Sequence, residues 1–143
     1  MWKPRFTTLY SLPAILLLVS SAHAGVREAI VTIDGSCSGV CVSDSGLVLT
    51  AKHCRHPERV RVRFPDRTVS AVRLYVAPKP EGVVVFDCEG DGYPFLDVAA
   101  AAPKRGDPVT AVGYSKAAEF KQSNGVVKPS LTTYTETTAW VEV

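Results

Sequence analysis

Between Arg59 and Phe64 the chain alternates charged and apolar residues without a break: Arg59-Val60-Arg61-Val62-Arg63-Phe64. Successive side chains of a strand point to opposite faces, so a period of two predicts a half-buried strand with Val60, Val62 and Phe64 inward. Arg59, Arg61 and Arg63 then form a basic stripe on a solvated face. Pro65-Asp66-Arg67 predicts a turn, and Thr68 to Val76 a returning strand. Upstream, the apolar positions Ile30, Val31 and Ile33 lead to Gly35-Ser36. After that Val40 and Val42 stop at Ser43-Asp44-Ser45-Gly46, a turn cluster whose glycine suits positive φ, and Leu47 to Leu49 resumes the apolar run. That pattern predicts a hairpin. Downstream, Ala77-Pro78-Lys79-Pro80 predicts an extended link that cannot pair regularly, because proline has no N–H to give. Val83-Val84-Val85-Phe86 is a continuous β-branched and aromatic run that predicts a central strand.

The pattern changes after Val98. Ala99 to Ala102 could start a helix, but Pro103 and Gly106 argue for a crossing segment, and a domain boundary is placed over residues 99–106. Beyond it Val109 to Gly113, Val126-Val127 and the Thr-rich Leu131 to Val143 suit strands, with Ser123-Asn124-Gly125 read as a turn. No repeat, heptad or Gly-rich phosphate loop interrupts this, so the fold class is all-β. Residues 25–98 supply enough strands for a complete barrel, whereas 107–143 supply only part of a second.

The first 24 residues are set apart. Lys3 and Arg5 precede an apolar stretch from Leu12 to Val19, and Ala22-His23-Ala24 is a small-x-small cleavage site. This is the pattern of a signal peptide over residues 1–24, which implies a secreted or periplasmic protein with no membrane attachment once the leader is cleaved. The apolar run is too short for a spanning helix, which needs about 20 residues. The whole chain carries a formal charge of +2, and Lys3 and Arg5 account for it, leaving the remainder neutral. Neutrality gives no electrostatic case for nucleic-acid binding.

Cys37, Cys41, Cys54 and Cys88 form an even set in an exported chain, which points to disulfides; four cysteines allow three pairings. The rival is a zinc site, because Cys37-x3-Cys41 followed by His53 and His56 falls near finger spacing. The strand-like pattern of residues 38–52 does not supply a finger's helix, so no metal and no other cofactor is expected.

The chemistry concentrates at Thr50-Ala51-Lys52-His53-Cys54, straight after the apolar run Gly46-Leu47-Val48-Leu49. Imidazole is the side chain suited to taking a hydroxyl proton at neutral pH. His53 is favoured over His56 because a strand precedes it and Cys54 can clamp its turn; His56, before Pro57, is read as a surface residue. This segment resembles the histidine motif of the chymotrypsin-fold serine proteases. The hairpin from Ser36 to Thr50, the Val62 to Ala71 stretch and Pro103 to Tyr114 are similar in order to elements of their bacterial trypsin-like branch, which includes the HtrA-like proteases. The resemblance covers about residues 30–127.

What it implies is a chymotrypsin-like pair of antiparallel β-barrels with catalysis in the cleft between them, a polypeptide substrate or protein partner, and a triad of His, Asp and Ser. His53 would be the general base. The orienting acid falls at Glu81, where the family has Asp, with Asp87 as the alternative. Cys54 would bond back to Cys37, and Cys41 and Cys88 would then pair or remain buried thiols, with pairing favoured. The family's nucleophile lies in a Gly-Asp-Ser-Gly-Gly element, and none occurs here. Ser115, Ser123 and Ser130 lack the flanking glycines that let backbone N–H groups converge on an oxyanion. The expectation is a truncated reading frame whose chain is inactive alone, or a non-catalytic relative that binds without cleaving.

Overall fold

The computed structural model describes residues 25–54, 56–80, 82–116 and 118–127. After a single helical turn, Val26–Ala29, the chain forms β1 (Ile30–Ile33), β2 (Cys37–Cys41), β3 (Leu47–Ala51), β4 (Arg59–Arg63), β5 (Thr68–Val76) and β6 (Val83–Cys88). All pair antiparallel in the order β1-β2-β3-β6-β5-β4, and β1 closes the barrel on β4 through Thr32 opposite Arg63 and Ile33 opposite Val62. Closure leaves the barrel no unpaired edge strand.

The alternation in β4 becomes burial. Val60 and Val62 are inside and the three arginines outside, and Arg59 makes an exposed 4.0 Å pair with Glu89. Val31, Ile33, Val48, Phe64 and Phe86 complete the fully buried centre. Tyr93 caps one end, stacked on Phe64 at 5.0 Å, with the Arg67 guanidinium 4.2 Å from its ring centroid. Its hydroxyl donates to the Glu89 carbonyl, and its backbone N–H donates to Asp44 in the β2–β3 turn. Gly46 makes that cap possible. It sits at φ +95°, and a Cβ there would lie 2.8 Å from the Tyr93 ring and 2.9 Å from Cys88 Cβ.

The crossing segment leads to β7 (Pro108–Tyr114) and β8 (Phe120–Val126), which among the described residues form a two-stranded antiparallel sheet that does not close. Ser123, Asn124 and Gly125 are not a turn. They pair within β8 opposite Ala111, Thr110 and Val109, and the Thr110 hydroxyl reaches Asn124 Oδ1 at 3.0 Å. Cross-strand pairing outweighs the turn preference of Asn-Gly here, and the reversal falls at residues 115–119, where Ser115 N–H bonds the Glu119 carbonyl.

The hairpin docks on the barrel through an apolar group of Ile30, Leu96, Val40, Val112, Tyr114 and Phe120. At its centre the Tyr114 N–H donates to Ser38 Oγ at 2.7 Å. The whole is an all-β fold, a closed six-stranded barrel followed by an open second sheet, in the layout of the chymotrypsin-like double barrel.

Candidate active site

His53 is held by its neighbours. β3 runs alongside β6 until Ala51 opposite Val83, and the chain then tightens into a 3-10 turn, Lys52–Cys54. Just before the turn, buried Thr50 donates from its hydroxyl to the Ser38 carbonyl at 2.9 Å. Lys52 makes three bonds to the segment before β6, by its backbone N–H to Gly82 O at 3.1 Å and by Nζ to Ala77 O at 2.7 Å and Pro78 O at 3.3 Å. Cys54 is bonded to Cys37, with Cα atoms 6.4 Å apart. The histidine therefore has a fixed backbone on both sides and an exposed ring, which an incoming proton donor can reach. On the chain-entropy picture, closing a loop of 17 residues contributes about 3 kcal/mol.

Among the described residues no other parts of a triad gather around it. Glu81 lies outside the described residues, as do Ser130 and the leader segment 1–24. Asp87 pairs opposite Leu47, at the far end of β3 from Ala51. Four residues of strand separate the two ends, about 13 Å, so Asp87 is too distant to orient His53. Ser115 sits at the β7–β8 reversal and Ser123 within β8. Among the described residues no Ser-His-Asp triad and no oxyanion hole is assembled.

Two sequence expectations are corrected. Cys41 and Cys88 do not pair but stand as buried thiols. β3 lies between their strands, which puts their backbones roughly 9–10 Å apart, beyond the ~7 Å that a disulfide spans. The Cys41 thiol donates instead to the Ser43 carbonyl at 3.2 Å. Burial raises both thiol pKa values, that of Cys88 to about 12, and for Cys88 the neighbouring Cys41 and Asp87 add to it.

His56, expected at the surface, is half-buried. Its ring packs edge-on to Phe86 at 5.5 Å, and its Nε2 is buried with no hydrogen-bond partner among the described residues. Burial lowers its pKa, and Asp34 opposes that in part. Nothing in the local pattern marks His56 as inward, because it lies in neither strand nor helix and its packing comes from residue 86.

A cleft of about 790 Å³ opens between the barrel and the hairpin, lined in part by Ser38, Leu49, Leu96, Pro103, Asp107 and Thr110. Its walls mix apolar side chains with a few hydroxyl and carboxyl groups.

Residues 37–141 match the trypsin-like peptidase domain family, and the chain belongs to that family. Several solved structures share its fold. The Rv3671c protease in its inactive form is 22% identical, with a TM-score of 0.63 over 80% of this chain and 59% of that one. The MamO protease domain from Magnetospirillum magneticum in its apo form is 20% identical, with a TM-score of 0.60 over 81% and 69%. The serine endoprotease from Yersinia pestis is 22% identical, with a TM-score of 0.64 over 76% and 43%. The chain thus spans between 43% and 69% of the length of these structures. Among curated proteins no sequence matches. No helix among the described residues is long and apolar enough to cross a membrane.

Proposed function

We propose that the chain is a secreted or periplasmic relative of the HtrA-like branch of trypsin-like serine endopeptidases, with His53 as the general base for peptide-bond hydrolysis and Glu81 as the acid that orients it. In that role His53 takes the proton of a serine hydroxyl as it attacks the scissile carbonyl and returns it to the leaving amine. The carrying observation is the setting of His53: an exposed imidazole on a turn held by Cys37–Cys54 on one side and by Thr50 and Lys52 on the other. The bonds from Lys52 to Ala77 and Gly82 support Glu81, since these described residues on either side of it in sequence are tied to the histidine's turn. The leader pattern supports export.

No Gly-Asp-Ser-Gly-Gly element stands in the sequence, and on this reading the chain does not hydrolyse peptides by itself. The barrel–hairpin cleft favours a second reading, a non-catalytic module that binds an extended polypeptide. A serine-directed fluorophosphonate separates these. No labelling of this chain is expected, and labelling would overturn the absence of a nucleophile. When the chain is fused to a trypsin-like second barrel that supplies the serine, labelling that is lost in His53→Ala and kept in His56→Ala supports the base. Labelling that survives His53→Ala removes that role, and a fusion that never labels while a peptide stays bound in the cleft favours the binding module.

A further inference from the structure

The disulfide that clamps the histidine's turn has a third polar neighbour. Cys37 Sγ, Cys54 Sγ and a ring nitrogen of His56 all lie within 4.8 Å of one another, and all three residues are half-buried. His56 Nε2 is withdrawn from solvent and has no hydrogen-bond partner among the described residues. A buried imidazole nitrogen left without a partner is uncommon and calls for a reason. The phenyl ring of Phe86, at right angles to the imidazole, brings no lone pair or N–H to it.

We propose that these three side chains form a redox-gated zinc site: closed while Cys37 and Cys54 are joined, and open to one Zn²⁺ once they are reduced. Two thiolates and one imidazole are the donors a borderline-soft divalent ion takes, with Zn–S near 2.3 Å and Zn–N near 2.0 Å. In a tetrahedral arrangement those bonds put the two sulfurs about 3.8 Å apart. The sulfurs therefore need to part by less than about 2 Å from bonding distance, a movement that side-chain rotation supplies. The ligand set is not the finger-like one read from spacing, because Cys41 lies buried in the barrel core and bonds Ser43. It uses Cys54 and His56 with Cys37, which the sequence places 17 and 19 residues away.

The chemistry balances in two steps. A dithiol reductant gives two electrons and two protons to the Cys37–Cys54 bond and is itself oxidised to a disulfide, leaving two thiols. Zn²⁺ then displaces those two protons to solvent and binds both thiolates and His56, with water in the fourth position. Since the same sulfur atoms serve both states, disulfide and metal exclude one another, and transfer of two electrons from the thiolates to a disulfide oxidant expels the ion. The site does not depend on the protease reading.

The test uses the full chain, reduced with a phosphine, freed of reductant without oxygen and titrated with Co²⁺ as an optical stand-in. Uptake of one equivalent is expected, with a thiolate-to-cobalt band that Zn²⁺ abolishes, while the oxidised chain takes none. His56→Ala should weaken the reduced chain's Zn²⁺ affinity at least about tenfold against a chromophoric chelator, and Cys37→Ser or Cys54→Ser should abolish the band. The double variant Cys41→Ala, Cys88→Ala should keep it. The proposal is overturned by an absent band in the reduced chain, by equal uptake in the oxidised chain, or by a band that follows Cys41 and Cys88. It is equally overturned if reduction unfolds the chain, read by far-ultraviolet circular dichroism, and Zn²⁺ does not restore the strands.

Discussion

At the scale of single residues, the two histidines near the clamp separate by environment. His53 is exposed, and the motif around it was visible as a motif. The burial of His56 depends on Phe86, thirty positions away, and no local pattern carries that. Its lowered pKa has a consequence with a definite sign. Below pH 6.5, its ordinary value, the unfolded chain binds a proton that the folded chain resists, so stability falls as pH drops from 6.5 toward the lower folded value. Asp34 is the charged group that acts against this. Urea midpoints measured from pH 7.5 to 5 should decline, and His56→Gln should flatten the decline; an unchanged slope would assign it to other groups. Gly46 gives a second residue-scale expectation. Gly46→Ala meets both positive φ and the Tyr93 ring, and should destabilise by about 2–4 kcal/mol in the same assay.

At the scale of elements, the strands were legible wherever period or composition was strong. β4 follows its alternation, β5 keeps Thr68 and Val76 as its ends, and the Val83 to Phe86 run is the middle of the barrel, paired with β3 and β5. β8 was not legible, since Ser-Asn-Gly locally prefers a turn and only the register against β7 makes it strand. The cysteines fall between these cases. Counting and resemblance pointed to bridges, but which strand stands between Cys41 and Cys88 is a property of sheet order, which pattern does not state.

Their burial predicts slow chemistry. With Cys88 held at about 12, neither thiol should react with iodoacetamide in the native state at pH 8 except at the rate of opening, and both should react at once in denaturant. Mass spectrometry of timed samples checks it. On the alkaline side the unfolded thiols lose protons near 9 while folded Cys88 keeps its own to about 12. Stability should therefore fall as pH rises across that interval.

At the scale of the whole molecule, Ser38 holds a polar contact at the centre of the junction between the barrel and the hairpin. Its hydroxyl accepts from Tyr114 N–H, while its backbone carbonyl accepts from Thr50. Ser38→Ala removes the first bond and keeps the second. Amide exchange at Tyr114 should speed up by about tenfold or more while Val48 and Phe86 stay protected, which hydrogen–deuterium exchange resolves by segment. Seen as mechanics, Ser38 is a fulcrum. The arm on one side is the second sheet and the arm on the other is β3, which ends at Ala51, two residues before His53. A load that tilts the sheet meets that joint together with the apolar group around Ile30, Val40 and Val112, so their combined stiffness sets how far it travels.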